Sequence, residues 1–162
     1  MALDDVDRIM AIMATAFDPD FGEAWNRRQV EDALTLGSCH YSLVGADGQL
    51  PSTEEAAAGF WMSRTGFEEE ELLLIAVVPQ ARCTGLGLRL LETLRNAAAR
   101  RGARRLLLEM RRGNPAESLY RRFGFYSIGE RREYYRTPGG DRLDAITFAC
   151  DIKASDATTP KH

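Results

Sequence analysis

Apolar and polar positions alternate along this chain with two different periods, which divide it into helices and strands. The helical period marks the beginning, where Asp4 or Asp5 can cap a first helix that ends near Pro19 and Gly22. A second short helix is predicted over about residues 25–34. The apolar positions of the first helix are Ile9, Met10, Met13 and Phe17.

Strand patterns dominate the middle of the chain. Residues 40–45 and 58–64 are predicted strands, joined by a connection that contains Asp47-Gly48. Residues 72–78, which directly precede Pro79, are entirely apolar. Such a run is typical of a strand buried on both faces in the middle of a sheet. A long helix follows this strand and ends at Gly102; its apolar face is Leu90, Leu91, Leu94 and Ala98.

The last third of the chain adds a strand at 106–110, a helix and two more strands, at 126–135 and 143–152. Asn114-Pro115-Ala116-Glu117 predicts the start of that helix, with Asn114 as N-cap, Pro at the first position and Glu117 closing a capping box. The element order is α-α-β-β-β-α-β-α-β-β. This order predicts a mixed α/β domain built on one central sheet.

Length and composition support a single globular domain. The chain has 162 residues, of which 44% are hydrophobic, enough for one core but too few residues for two ordinary domains. We expect the domain to span residues 1–152. Residues 153–162, rich in Thr, Ala, Lys and Asp, are expected to form a disordered tail.

Charge is unevenly distributed. Residues 1–81 carry 4 basic and 15 acidic side chains, whereas residues 82–142 carry 15 basic and 6 acidic ones. Either the solvated faces have segregated by chance, or a basic half holds an anionic ligand and an acidic half attracts a cationic acceptor. No aromatic-plus-basic pattern accompanies the basic half, so direct nucleic-acid binding is not expected.

Other chain-wide features argue against a metal, a membrane and secretion. Cys39, Cys83 and Cys150 are widely spaced and form no ligand pattern, so we expect no metal site. No apolar run approaches the roughly 18 residues of a membrane span. The acidic start at Asp4 and Asp5 is unlike a secretory signal, so a cytoplasmic location is expected.

The strongest local motif is Arg82-Cys83-Thr84-Gly85-Leu86-Gly87, between the strand at 72–78 and the long helix. Glycine lets the backbone approach a ligand, and a helix start offers unpaired N–H groups and a positive dipole end. The motif therefore predicts a pyrophosphate cradle. Its spacing fits neither a P-loop nor a dinucleotide fingerprint, because Leu90 stands where the latter needs Gly.

Several motifs in order resemble one superfamily. Arg82-x-x-Gly85-x-Gly87 resembles the acetyl-CoA signature of the GNAT N-acetyltransferases, and Leu119-Tyr120-x-x-Phe123-Gly124-Phe125 is similar to their second half. Arg131-Arg132-Glu133-Tyr134-Tyr135 with Asp144-Ala145-Ile146 further resembles the RimI-type ribosomal-protein alanine acetyltransferases. The resemblance covers about residues 70–152. It implies a mostly antiparallel mixed sheet, flanked by helices and opened into a V at the acetyl-CoA site beside residues 75–77. A bulge in or near the strand at 72–78 is expected to produce this splay.

The resemblance also implies roles for individual residues. Glu109 matches the general base and Tyr120 the general acid. Cys83 and Thr84 stand where many relatives have Arg or Gln, which matters only if side chains make the contact. The positions implied to bind acetyl-CoA are Ile75, Ala76, Val77, Arg82, Cys83, Thr84, Gly85, Leu86, Gly87, Leu88 and Asn114.

The residues themselves leave alternatives open. Glu109 lies in an apolar run, and burial makes a carboxylate more basic, but it could instead pair with a neighbouring arginine. Tyr120 lies on an apolar helix face and could be a core residue. Nearby arginines could pair with cofactor phosphates or form a solvated face; these are Arg111, Arg112, Arg121 and Arg122.

The predicted reaction is direct attack of a neutral amine on the thioester of acetyl-CoA, with no metal and no acyl-enzyme. An α-amine, with a reference pKa of about 7.7–8.0, needs less help from a base than lysine at about 10.4. The resemblance implies the N-terminal alanine of a small-subunit ribosomal protein as acceptor, with Trp25, Tyr134 and Tyr135 as groove candidates. Acetylation of lysine or a small amine, and a non-catalytic CoA-binding module, remain the alternatives.

Overall fold

The computed structural model of the protein describes residues 4–19, 22–52 and 55–157. Within these residues the helices are α1 (Asp5–Ala16), α2 (Arg27–Thr35), α3 (Leu86–Arg100) and α4 (Glu117–Phe123). The strands are β1 (Cys39–Val44), β2 (Gly59–Thr65), β3 (Glu69–Val77), β4 (Arg105–Arg111), β5 (Tyr126–Arg136) and β6 (Arg142–Asp151). The predicted element order is confirmed.

The strands form one six-stranded sheet, in the order β1-β2-β3-β4-β6-β5, in the described part of the chain. β3 and β4 run parallel, and the other neighbouring pairs are antiparallel. The predicted mixed, mostly antiparallel sheet is therefore confirmed. Chain order and sheet order differ at one place, where β6 lies between β4 and β5.

Helices cover both faces of the sheet and enclose two groups of buried side chains. α1 and α2 pack on β1–β3, around Ile9, Ile12, Met13, Val30, Phe60 and Met62. On the other face, the predicted stripe of α3 is buried as expected. It packs with β4, β6 and α4, around Leu90, Leu91, Leu94, Leu106, Tyr120 and Phe148.

Helix ends follow local hydrogen bonding. Asp4 caps α1 by accepting the N–H of Val6 at 2.7 Å, as predicted. α2 begins behind Asn26, which exchanges hydrogen bonds with Gln29 in a capping box, so it starts slightly later than predicted.

The prediction for the start of α4 is wrong in detail. Asn114 accepts the N–H of Ala116 at 2.9 Å, in a turn that precedes the helix, and is not its N-cap. Glu117 closes no capping box and instead pairs with Arg121 at 2.9 Å. A turn of this kind shares its sequence pattern with a capping box, so spacing alone could not separate the two.

β3 begins three residues before the predicted apolar run, at Glu69. Glu70 is fully buried within it. Its carboxylate accepts hydrogen bonds from Arg101 at 2.8 Å and from Ser63 at 2.6 Å, which compensates the cost of burying the charge. These partners lie in other segments of the chain, so the hydropathy pattern did not reveal the first three residues of the strand.

Beyond β6, Ala154–Asp156 form a short 3₁₀ turn, and Asp156 pairs with Arg95 of α3 at 3.5 Å. Residues 158–162 of the predicted tail lie outside the described residues. Among the helices that the structure describes, none is long and apolar enough to span a bilayer.

Candidate active site

The sheet opens between its two parallel strands. β3 pairs with β4 from Glu69 opposite Arg105 to Leu72 opposite Leu108, and the described pairing stops there. β3 continues to pair with β2 as far as Val77, and β4 continues to pair with β6 as far as Arg111. The predicted V beside residues 75–77 is therefore confirmed, with facing strand edges that have no partner strand among the described residues.

A bulge accompanies this opening. Met62 of β2 pairs with Leu74 but its neighbour Ser63 pairs with Leu72, so Leu73 is an extra residue in β3. Leu72 and Leu74 consequently enter different cores, although regular alternation would place them on one face. A bulge bends its strand and increases the local twist. The predicted bulge in or near this strand is confirmed.

The glycine loop lies at the end of β3, before α3. Residues 82–85 are exposed, and Gly85 adopts a left-handed conformation with φ of 87°. Gly85 offers no side chain to cap α3, and the first turn of this 15-residue helix contains no acidic residue. The first N–H groups of α3 therefore lack a side-chain acceptor and present the positive end of the dipole.

Two side chains of this loop make contacts within the protein, and packing restricts a third position, Gly87. Arg82 donates to the carbonyl of Ala16 at 2.7 Å and thereby caps the end of α1. Thr84 donates to Ala81 at 2.5 Å. A Cβ on Gly87 would lie 2.8 Å from Cδ2 of Leu119, so the need for glycine there comes from packing between α3 and α4.

Glu109 is the first residue of β4 beyond its last pair with β3, at the vertex of the V. Its side chain is 22% exposed, and Nε of Arg131 lies 3.6 Å from Oε1. Oε1 itself is buried and has no hydrogen-bond partner among the described residues. The arginine pairing that we considered is present as a loose contact, and it leaves an acceptor oxygen unsatisfied.

One tyrosine, Tyr135, contacts Glu109, and a second, Tyr120, interacts with Tyr135 and Glu23. Tyr135 donates to the backbone carbonyl of Glu109 at 3.4 Å. The pKa of Tyr135 is raised to about 12. Burial of the hydroxyl is the largest cause, and the negative charges of Glu109 and Glu23 add to it. The pKa of Tyr120 also lies above its usual value, mainly because the hydroxyl is buried and to a smaller extent because of electrostatic interactions with Glu23 and Tyr135. Tyr120 also packs edge-on against Phe125 within the core, and Glu23 and Tyr135 are the groups close enough to add to its pKa shift.

Comparison with known proteins identifies the family that shares this arrangement. The acetyltransferase (GNAT) domain family matches residues 40–127, more than half of the chain. The chain belongs to the GNAT acetyltransferases. The resemblance seen in the sequence motifs is confirmed.

Relatives of this GNAT enzyme include ribosomal-protein acetyltransferases. A Bacillus subtilis relative, with proposed [ribosomal protein bS18]-alanine N-acetyltransferase activity, is 30% identical over 145 residues, 88% of this chain and 89% of that protein. The Escherichia coli [ribosomal protein bS18]-alanine N-acetyltransferase is 41% identical over 96 residues, 59% of this chain and 64% of that protein.

Solved structures share the fold. The crystal structure of the Escherichia coli ribosomal-protein-S18-alanine N-acetyltransferase gives a TM-score of 0.75 at 29% identity, covering 94% of this chain and 92% of that one. A Bacillus anthracis acetyltransferase in complex with acetyl coenzyme A gives a TM-score of 0.62 at 17% identity, over 76% of this chain and 68% of that one.

The site of this GNAT enzyme also contains an ion pair, between Arg111 and Glu23, that was not predicted from the sequence. Nε of Arg111 lies 3.0 Å from Oε1 of Glu23, and both side chains are largely buried. Arg111 follows Glu109 by two residues and so lies on the same face of β4, a signal present in the sequence. Glu23 lies in a loop without periodicity, and no sequence signal connects it to β4.

The predicted acceptor residues are only partly brought together. Tyr134 is 53% exposed and contacts Tyr135 edge-on, with ring centroids 5.5 Å apart. Trp25 instead packs against the core between α1, α2 and the sheet. Arg112 and Arg121 pair with Glu130 and Glu117. With the Arg111–Glu23 pair, three of the four arginines considered for phosphate contacts have acidic partners.

Proposed function

We propose that this GNAT enzyme transfers acetyl from acetyl-CoA to the α-amine at a protein N-terminus, with Glu109 as general base and Tyr120 as general acid. The proposed acceptor is the N-terminal alanine of a small-subunit ribosomal protein. Ribosomal proteins are made in the cytoplasm, so we place the activity there.

The observation that carries this proposal is the unsatisfied Oε1 of Glu109. A buried acceptor without a donor costs free energy, so the arrangement favours a ligand that brings an N–H or O–H group. An amine, or a water between amine and carboxylate, is such a donor. Glu109 also lies where the strands separate, so a substrate entering the V reaches it.

Features of the V and of α3 fit acetyl-CoA. The edge of β3 at 75–77 has no partner strand on the β4 side among the described residues, so its backbone can pair with an amide-containing arm. The N-terminus of α3, uncapped by any side chain, suits a pyrophosphate. Gly85 has no neighbour within 4 Å of a built Cβ, which leaves the approach open. When bound, acetyl-CoA supplies the acetyl group as a thioester.

The proposed proton transfers follow from the two side chains. Glu109 accepts a proton from the attacking amine, directly or through water. Tyr120 is protonated across the neutral range, because burial raises the pKa of its hydroxyl. It can therefore donate a proton to the thiolate sulfur that leaves. No residue of the chain is acylated in this scheme.

The preference for an α-amine rests on its chemistry and on the relatives. About a tenth of an α-amine with a pKa of about 8 is already neutral at pH 7, whereas lysine is almost fully protonated. Two relatives carry names that specify alanine acetylation of ribosomal protein bS18. We assign Tyr134 and Tyr135 to the acceptor groove, while Trp25 would shape it indirectly through the core.

The test is release of CoA thiol with three classes of acceptor. A short peptide with a free N-terminal alanine should be acetylated faster than a matched peptide whose N-terminus is blocked and whose lysine is free. Small amines such as spermidine should react slowest. Faster reaction of the lysine peptide or the small amine would replace this proposal with the corresponding alternative. Binding of acetyl-CoA without turnover of any amine would indicate a non-catalytic module.

A further inference from the structure

β5 carries extra residues opposite β6, directly before Tyr135. Arg131 pairs with Ala145, but the next described pair is Tyr135 with Leu143, so four steps along β5 face two along β6. Within this bulge, Glu133 has φ of 53°, in the left-handed region. That conformation is unfavourable for a residue with a side chain and persists only where neighbouring groups hold it.

Asp144 is the residue of β6 that faces the bulge. Its Oδ1 accepts the backbone N–H of Glu133 at 2.9 Å, and its own carbonyl accepts the N–H of Arg112 at 2.8 Å. Oδ2 also lies 3.5 Å from Nε of Arg112. One side chain and one carbonyl thus join the β5 bulge to the end of β4. The N–H of Glu133 is the main reason that the pKa of Asp144 is lowered.

The bulge determines where Tyr135 lies. In regular antiparallel pairing continued from Arg131 and Ala145, Tyr135 would face Asp141 instead of Leu143. That difference of two residues is about 7 Å along the strand, away from β4. With the bulge in place, the hydroxyl of Tyr135 reaches the carbonyl of Glu109 at 3.4 Å.

We propose that Asp144 is a positioning residue for the acceptor, because its carboxylate holds the β5 bulge that brings Tyr135 beside Glu109. The inference rests on the proposed function, in which Tyr134 and Tyr135 line the acceptor groove. The hydrogen bonds of Asp144 join it to Glu133 of β5 and to Arg112 directly after β4, whereas the glycine loop lies at the end of β3. Asp144 therefore acts on acceptor binding and leaves acetyl-CoA binding unchanged.

The test compares Asp144→Ala with Asp144→Asn, using an alanine-starting peptide. Loss of a charge-assisted hydrogen bond from Glu133 should raise the peptide KM about 5- to 30-fold in Asp144→Ala. The asparagine oxygen still accepts that N–H, so Asp144→Asn should stay within about threefold of wild type. Calorimetry should give wild-type acetyl-CoA affinity for both. Asp151→Ala, on β6 but at its far end, is the matched control and should leave KM unchanged.

A second variant tests the bulge itself. Glycine adopts a positive φ without steric cost. Adding Glu133→Gly to Asp144→Ala should therefore reverse part of the increase in peptide KM. Hydrogen exchange at the amide of residue 133 should accelerate in Asp144→Ala and remain slow in Asp144→Asn. This exchange measurement needs no acceptor, so it separates failure of the inference from failure of the proposed function. Unchanged exchange, an unchanged peptide KM, or equal weakening of peptide and acetyl-CoA binding would overturn the proposal.

Discussion

Glu109→Gln removes the negative charge at the vertex of the V while keeping the shape of the side chain. The buried Oε1 of Glu109 lacks a hydrogen-bond partner among the described residues and makes only a loose ion pair with Arg131, so it is available to a donor from the acceptor. A hydrogen bond to a charged group contributes about 1.5–3 kcal/mol. This corresponds to a rate effect of about 10- to 150-fold, and general-base catalysis reaches about 10⁴-fold. We expect kcat/KM at neutral pH to fall about 10- to 1000-fold.

The loss should depend on pH, because the base is needed only while the amine is protonated. About a tenth of an α-amine with a pKa near 8 is neutral at pH 7, and nearly all of it above about pH 9. The difference between wild type and Glu109→Gln should therefore shrink as pH rises. The assay is thiol release with an alanine-starting peptide, with rapid mixing to establish that chemistry limits the rate.

Arg131→Ala is the matched control for this prediction. Arg131 is 62% exposed and lies 3.6 Å from Glu109, so the pair contributes at most about 1 kcal/mol to stability. If Glu109 served only as a partner for Arg131, the two substitutions would lower activity equally. Wild-type turnover by Glu109→Gln from about pH 6.5 to 9.5, with chemistry rate-limiting, would refute the assignment of Glu109 as base.

Three further predictions concern Tyr120, Gly87 and the glycine loop. Tyr120→Phe keeps the buried ring but should lower kcat about 10- to 1000-fold, and high pH should not restore it, because the leaving thiolate still lacks a donor. Gly87→Val should lower the free energy of unfolding in urea by about 1–3 kcal/mol, since a Cβ alone would lie 2.8 Å from Cδ2 of Leu119 and valine adds two methyl groups to it, and Leu119→Ala should relieve that loss; additive effects would contradict this packing. Acetyl-CoA should slow alkylation of the exposed Cys83 by iodoacetamide, measured by peptide mass spectrometry, and equal rates with and without it would exclude the glycine loop as its site.

Most elements and their order could be predicted because they have a clear hydrophobic period, whereas β5 is almost entirely exposed and is marked mainly by the turn residues on either side of it. The stripe of α3 and the buried strands β3 and β4 follow directly from that pattern. The start of β3 was predicted too late for a physical reason. Glu70 is buried only because Arg101 and Ser63 compensate its carboxylate, and these partners come together through the tertiary fold.

Residue types and spacing predicted the elements of the site but not all of its contacts. Glu109 and Tyr120 are near a shared polar cluster, as their motifs suggested. Arg82 and Gly87 fit the motif equally well, yet Arg82 caps α1 and Gly87 accommodates Leu119. A sequence motif therefore predicts which residue type occupies a position, but it does not determine which contact in the folded protein depends on that residue.

Glu109 owes its surroundings to irregularities on both sides of β4. The extra residue Leu73 accompanies the separation of β3 from β4, and that separation leaves Glu109 without a neighbouring strand on one side. The bulge around Glu133 brings Tyr135 across β6 from the other side. Neither bulge alters hydrophobic alternation in a way that sequence reading detects, because a bulge is defined by pairing between distant segments. Restoring regular pairing at either place would therefore move side chains along β3 or β5 and disperse the groups around Glu109.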